Sequence, residues 1–159
     1  MTEHRIELKD GRTLAVRDGG DPTSDRAVVL CHPAPGSRVL DPDPAATAAA
    51  GVRLVSVDRP GYGESSPLPA GAVPAIPTFA GDVLAALDHL GIDSVAAAGW
   101  SAGGRIALAL AAERPDRVRA VAVVATPAPH EDVPWIPDEH VGMLESLRPD
   151  LPAAAGRLA

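Results

Sequence analysis

Short apolar runs, each bounded by Gly, Pro or Asp, constrain the fold of this chain more than any other feature. They occupy residues 27–31, 54–57, 95–98 and 118–125. Runs of this length with little polar alternation are typical of strands buried on both faces, as in a parallel sheet. Because helical segments separate them, the order predicts an α/β domain with right-handed crossovers.

The helical segments are indicated by apolar side chains at helical spacing and by the residues that end them. Residues 79–90 carry one apolar stripe that Gly91 ends, and the Ala-rich residues 45–50 are followed by Gly51. Residues 102–113 are apolar on nearly every side. We therefore expect two shorter or amphipathic helices and one deeply buried helix.

The N-terminal part of the chain has a different pattern. Residues 5–9 and 13–17 alternate apolar and polar side chains, and Asp10-Gly11 lies between them. Asp-Gly is a strong signal for a two-residue hairpin. An antiparallel hairpin with one exposed face is therefore predicted ahead of the parallel strands.

Charge and cysteine content exclude several classes of function. The net charge of −7 and the pI near 5.1 argue against nucleic acid or an anionic membrane surface as a partner. Cys31, the single cysteine, excludes an intrachain disulfide framework. Neither a secretory signal nor a run of 18 apolar residues is present, so we expect a cytoplasmic protein.

One motif carries specific chemistry: Gly99-Trp100-Ser101-Ala102-Gly103, a G-x-S-x-G sequence. It follows a predicted buried strand and precedes a predicted buried helix, the context in which this motif forms a nucleophile elbow. The tight turn needs small residues at Gly99 and Gly103, and the helix start favours developing negative charge at Ser101. Ser101 is thus the predicted nucleophile; the alternative is a helix-capping serine.

A second motif follows the first parallel strand and runs from Cys31 to Arg38. Acyl chemistry needs backbone N–H donors for an oxyanion, and Pro33 and Pro35 have none. Ala34 is therefore the predicted donor, paired with the N–H of Ala102 after the nucleophile. The alternative is a Pro-rich turn without a chemical role.

With the loop Asp58-Arg59-Pro60-Gly61-Tyr62-Gly63-Glu64-Ser65, these motifs resemble the α/β-hydrolase superfamily, in its esterase and lipase-like branch with a small cap. The resemblance covers residues 1–126 and implies a mostly parallel central sheet after an antiparallel hairpin. It departs from the family at Pro33, where glycine is usual. It also implies that His32 holds the oxyanion loop by hydrogen bonding. Family members that resemble haloalkane dehalogenases and epoxide hydrolases use Asp as nucleophile, so a serine at 101 implies attack on an acyl carbon.

In the family the catalytic residues follow one another along the chain as serine, acid and histidine. The acid and the histidine are not assigned by the motifs above. Residues 127–159 resemble the start of a cap or lid region, and we expect the last strands of the fold to be absent. His130 is a candidate base and Glu131 or Asp132 a candidate acid; the alternative for all of them is a solvated cap entry. We expect Asp58 and Arg59 to brace their loop as an ion pair, and Cys31 to belong to the core.

Several functional hypotheses therefore stay open. The first is a serine hydrolase that acts on a small, apolar acyl substrate, with hydrolysis of ester, thioester, amide or C–C bonds and perhydrolysis all open. The second is a catalytically incomplete chain, at most a binding or assembly module, and the third is one half of a two-chain enzyme. No cofactor is expected, because the glycines do not form a dinucleotide fingerprint and no Cys/His cluster has metal-ligand spacing.

Self-association is a further expectation. The apolar run at residues 118–125 would lie inside the sheet in the family, beside a strand that we do not find in this sequence. An apolar strand left at the edge of a sheet invites pairing with another chain.

Overall fold

The computed structural model describes residues 1–147. Strands and helices alternate after an initial pair of strands. In chain order they are β1 (Thr2–Glu7), β2 (Thr13–Gly20), β3 (Ala27–Cys31), α1 (Pro44–Ala50), β4 (Arg53–Val57), α2 (Ile76–His89), β5 (Val95–Trp100), α3 (Ala102–Glu113), β6 (Val118–Val124) and α4 (Asp138–Leu147).

The strands form a mixed sheet in the order β1-β2-β4-β3-β5-β6. β2 is antiparallel to both β1 and β4, whereas β3 is parallel to β4 and β5, and β5 is parallel to β6. This arrangement confirms the predicted fold class. It also brings the C-terminal ends of β3 and β5 together, because Cys31 pairs with Gly99 in the register.

The hydrophobic core lies between the sheet and the helices α2 and α3. Leu87, Ile106 and Leu110 are at most 2% exposed and pack in one cluster with Val29 and Val55 of the central strands. Full burial of an aliphatic side chain of this size contributes about 1.5–3 kcal/mol. The core therefore fixes the strand ends from which the candidate site is built.

The hairpin differs from its prediction in two respects. β1 ends at Glu7, and residues 8–12 form a longer connection in which Leu8 and Arg12 are hydrogen-bonded. The face of β2 that was expected to be exposed is also covered. Ala15 is fully buried because its backbone bonds to Ser65 Oγ and to the N–H of Asp58. The loop after β4 therefore closes over this strand.

The predicted burial of α3 and of the last strand was wrong. Leu108 on α3 is 50% exposed, and in β6 only Val118 is buried. β6 lies at the edge of the described sheet, where its side chains have a neighbouring strand on one side only. An apolar run alone does not distinguish an edge strand from a central one.

The chain divides into two compact units, Met1–Thr126 and Pro127–Ala159. The first contains the whole sheet with α1, α2 and α3. In the described part of the second, α4 follows a Pro-rich segment. The assignment of residues 127–159 to a cap or lid stays a prediction. Among residues 1–147, no helix has the length and apolar character needed to cross a membrane.

Candidate active site

Ser101 occupies a strained turn between β5 and α3. Its φ of 51° and ψ of −120° lie outside the regions that non-glycine residues usually adopt. Strain of this kind persists only where the surrounding structure enforces it, and it is common at functional residues. The turn therefore has the backbone conformation expected of a nucleophile elbow.

The glycines around Ser101 are required by close packing. A Cβ atom on Gly99 would lie 2.4 Å from Gly104 Cα, and one on Gly103 would lie 2.0 Å from the carbonyl oxygen of Cys31. Both contacts are with backbone, so a side chain at either position would force the main chain to move. These contacts explain why the tight turn requires glycine at both positions.

Two hydrogen bonds tie the backbone of Ser101 to the C-terminal end of β6 and the residues after it. Its N–H donates to the carbonyl of Val124 at 2.8 Å, and Thr126 Oγ1 donates to the Ser101 carbonyl at 2.8 Å. Both partners belong to β6 and the segment after it. Within residues 1–126, no histidine side chain is hydrogen-bonded to Ser101 Oγ.

Both predicted oxyanion donors lie at the C-terminal ends of the parallel strands, where Ser101 also lies. Ala34 follows the end of β3 and is exposed, while Ala102 is the first residue of α3. Backbone N–H groups in the first turn of a helix have no partner within the helix. The close approach of Gly103 to Cys31 and His32 packs the loop that contains Ala34 directly against the start of α3. Their joint action on an oxyanion stays a prediction.

His32 is buried within the predicted oxyanion loop (residues 31–38), where the family resemblance implies a hydrogen-bonding role for it. Its Nδ1 lies 2.8 Å from the carbonyl oxygen of Pro33, and its side chain is only 1% exposed. Burial lowers the pKa of His32 below 6.5, and the neighbouring guanidinium of Arg59 adds to that shift. A neutral imidazole that donates from Nδ1 to the Pro33 carbonyl fits this environment.

The expected ion pair between Asp58 and Arg59 does not form. Asp58 is fully buried and pairs with Arg38, whose backbone N–H also donates to Asp58 Oδ1 at 2.7 Å. The N–H of Glu64 donates to the other carboxylate oxygen at 3.0 Å. Arg38 was not singled out from the sequence because its partner lies 20 residues away in another loop. The pair ties the oxyanion loop to the loop after β4.

His130 makes local contacts within the second unit. Its Nδ1 accepts hydrogen bonds from the backbone N–H groups of Trp135 and Ile136, at 3.1 and 3.2 Å. A catalytic base of the triad type must instead donate from Nδ1 to an acid. Glu131 and Asp132 are exposed. The described contacts thus favour the structural alternative for His130.

An apolar groove lies beside the elbow, on the face of the sheet opposite α2 and α3. Its volume is about 370 Å³, and Leu30, Ala98, Trp100 and Val124 line it. Trp100 is 40% exposed within it. Its walls present no charged side chain, which suits an apolar ligand. No group of three or more potential metal ligands occurs among the described residues.

Comparisons with known proteins agree with this fold. Residues 26–144 match a family model described as the alpha/beta hydrolase fold. Relatives include bifunctional epoxide hydrolase 2 of Sus scrofa, 38% identical over 108 residues, which are 65% of this chain and 19% of that protein. Epoxide hydrolase B of Mycobacterium tuberculosis is 32% identical over 144 residues, which are 87% of this chain and 40% of that protein.

Solved structures show the same fold. A carboxylesterase structure from the thaumarchaeon Nitrososphaera gargenis superposes with a TM-score of 0.73 at 20% identity. The match covers 92% of this chain and 54% of that chain. The chain spans about half, or less, of the length of these proteins.

Proposed function

The chain belongs to the alpha/beta hydrolase fold family, and from this premise we propose that it is a serine hydrolase acting on a small acyl substrate. The observation that carries the proposal is the strained backbone of Ser101 at the junction of β5 and α3. That conformation supports a nucleophile presented clear of the sheet. Epoxide hydrolases are among the relatives, but a serine at this position favours an acyl carbon over an epoxide.

The proposed chemistry uses Ser101 with two backbone donors. Ser101 Oγ attacks the carbonyl carbon of an ester or related acyl bond, and the electron pair of the carbonyl moves to its oxygen. The N–H groups of Ala34 and Ala102 stabilise the resulting oxyanion, a contribution worth about 3–4 kcal/mol per donor in other hydrolases. The proton of Ser101 passes to a general base. The oxyanion's electron pair then re-forms the carbonyl, the bond to the leaving group breaks, and the base gives the proton to the leaving group, which leaves an acyl-enzyme for water to hydrolyse.

The groove beside the elbow supports a proposal for the substrate class. Its lining by Leu30, Ala98 and Trp100 supports a small molecule with an apolar acyl part. The net charge of −7 gives no support for a nucleic-acid or anionic membrane partner. We place the reaction in the cytoplasm and assign it no cofactor.

A second candidate is a chain that is catalytically incomplete by itself. Two observations favour it: no histidine side chain within residues 1–126 is hydrogen-bonded to Ser101 Oγ, and Nδ1 of His130 accepts backbone hydrogen bonds. In that case the acid and the histidine belong to a second polypeptide, or the chain acts at most as a binding or assembly module.

Covalent labelling with a fluorophosphonate separates the two candidates. The purified chain is incubated with the probe and its intact mass is measured beside that of Ser101→Ala. Ser94→Ala is the matched control, because Ser94 is exposed and directly precedes the N-terminal end of β5, far along the strand from Ser101. Stoichiometric labelling that only Ser101→Ala abolishes supports the serine hydrolase. A folded chain that stays unlabelled contradicts activation of Ser101 and leaves the incomplete chain as the better description.

A further inference from the structure

Arg59 is a buried cation without a carboxylate partner among the described residues. It is 8% exposed, and its neighbour Asp58 pairs with Arg38 instead. Burial lowers the pKa of the Arg59 guanidinium, which reflects the cost of holding the charge away from water. A buried charge without a counter-ion is destabilising unless other groups compensate for it. The contacts that Arg59 does make therefore point to its role.

Those contacts converge on the oxyanion loop. Arg59 Nη2 donates to the carbonyl oxygen of Pro33 at 2.8 Å, and the guanidinium lies 4.6 Å from the centre of the Tyr62 ring. His32 Nδ1 lies 2.8 Å from the same carbonyl oxygen. Two nitrogen donors, one of them charged, thus meet at a single carbonyl.

This carbonyl belongs to the same peptide group as the N–H of Ala34. A peptide group is planar, and in its trans form the oxygen and the amide hydrogen point in opposite directions. Among the described residues only the bond between Ala34 and Pro35 is cis, so the bond between Pro33 and Ala34 is trans. Arg59 and His32 hold the Pro33 carbonyl oxygen in place, and they therefore also determine the direction in which the Ala34 N–H points.

The charge of Arg59 has a second effect on this peptide group. A hydrogen bond to the carbonyl from a charged donor is stronger than one from a neutral donor, and it polarises the peptide. Polarisation makes the N–H at the other end of the group a better donor. The hydrogen-bond geometry of the guanidinium is therefore needed to orient the peptide group, and its positive charge is needed to polarise it.

We propose that Arg59 is a positioning residue that orients and polarises the peptide group between Pro33 and Ala34, so that the Ala34 N–H serves as an oxyanion donor. The proposal rests on the proposed function, which assigns that role to Ala34. It differs from a purely structural role in one respect: a brace would stabilise the loop without changing the electronic state of one peptide bond.

The first experiment measures that peptide group directly by triple-resonance NMR of the labelled chain. In Arg59→Met the NMR signals of the Pro33 carbonyl carbon and the Ala34 amide proton should both shift upfield. The reason is that the peptide group is no longer polarised by the hydrogen bond from Arg59. Arg59→Lys, which keeps a charged donor, should restore part of both shifts. Arg119→Met is the matched control, since Arg119 also donates to a backbone carbonyl, that of Ala27 at 3.0 Å, at the other end of the sheet.

Retention of the fold is checked by circular dichroism and thermal unfolding. Replacing Arg59 by methionine removes the desolvation cost of a buried charge that has no carboxylate partner among the described residues, so we expect Arg59→Met to fold. If it does not fold, the comparison of Arg59→Lys with wild type decides. The proposal would be overturned if a folded Arg59 variant had the same NMR chemical shifts at the Pro33 carbonyl carbon and the Ala34 amide proton as wild type.

The second experiment measures the rate at which the fluorophosphonate labels Ser101. Loss of an aligned donor should slow labelling by about ten- to a hundredfold in Arg59→Met, less than the effect of deleting a donor outright, and Arg59→Lys should recover part of the rate. Chemical shifts that change while the labelling rate does not would show that the Ala34 N–H, although polarised by Arg59, does not act as an oxyanion donor, and this outcome would overturn the proposal. If wild type is not labelled, the proposed function fails, while the NMR comparison still decides whether Arg59 governs this peptide group.

Discussion

The backbone of Gly103 is in contact with the backbone of Cys31 at the C-terminal end of β3. A Cβ atom at position 103 would lie 2.0 Å from the Cys31 carbonyl oxygen and 2.8 Å from that of His32. The first turn of α3 therefore rests on the strand end that leads into the oxyanion loop. This contact couples the position of the predicted nucleophile to the position of the predicted donor. It depends on a hydrogen atom in place of a side chain at position 103.

Gly103→Ala should therefore destabilise the chain and displace the loop. The added methyl group meets backbone that cannot turn aside as a side chain would, so we expect a loss of about 1–3 kcal/mol in the free energy of unfolding. Urea denaturation measures it. Gly81→Ala is the control, because Gly81 lies in α2 with nothing within 4 Å of its added Cβ. That variant should gain about 0.5–1 kcal/mol, and a similar gain in Gly103→Ala would contradict the contact.

His32 should make stability depend on pH. Burial lowers its pKa in the folded chain from 6.5, so below pH 6.5 the unfolded chain takes up a proton that the folded chain does not. Stability is therefore complete above that pH and falls below it, by up to about 1.4 kcal/mol per pH unit, until the lower pKa of the folded chain is reached.

The variant His32→Asn isolates this effect. Its free energy of unfolding should fall less than that of wild type between about pH 7.5 and about pH 5.5, because the titrating group is gone. His140→Asn, which changes an exposed histidine in α4, should behave as wild type does. Equal pH dependence in all three chains would show that His32 is not held neutral by the fold.

Cys31 should be unreactive while the chain is folded. Burial raises the pKa of its thiol to about 12, so almost no thiolate forms at neutral pH and reagents cannot reach it. Ellman's reagent should react only as fast as the chain unfolds, and denaturant should release one thiol. The double variant Cys31→Ala/Ser94→Cys places the thiol at an exposed position and should react at once. Rapid reaction of wild type would contradict the burial.

The order of strands and helices, and the elbow at Ser101, were predictable because both are encoded locally. Apolar runs set the strands, and the glycines beside Ser101 set the turn. The pairing of Asp58 with Arg38 was not predictable, because it joins two loops without periodicity. The role of Arg59 depends on the direction of one carbonyl, which no residue pattern specifies. Local sequence patterns thus predict the strands and helices, whereas the contacts between loops are seen only in the three-dimensional structure.

The exposure of β6 leads to the last prediction. β6 is an edge strand of the described sheet, and its valines Val121, Val123 and Val124 are 37%, 43% and 55% exposed. The backbone groups along an open edge are a template for pairing, and apolar side chains beside them strengthen it. We propose that a second copy of the chain pairs with this edge about a two-fold axis, the symmetry that a self-complementary strand favours.

Sedimentation velocity at tens of micromolar tests this association. Wild type should sediment as a dimer or larger species, and Val121→Lys should shift it towards monomer, because a lysine on an edge strand opposes pairing. Val73→Lys is the matched control, since Val73 is 77% exposed and lies in the loop before α2 rather than in β6. It should sediment as wild type does. A monodisperse wild-type monomer would contradict the pairing, because the apolar edge would then persist in water without a partner strand.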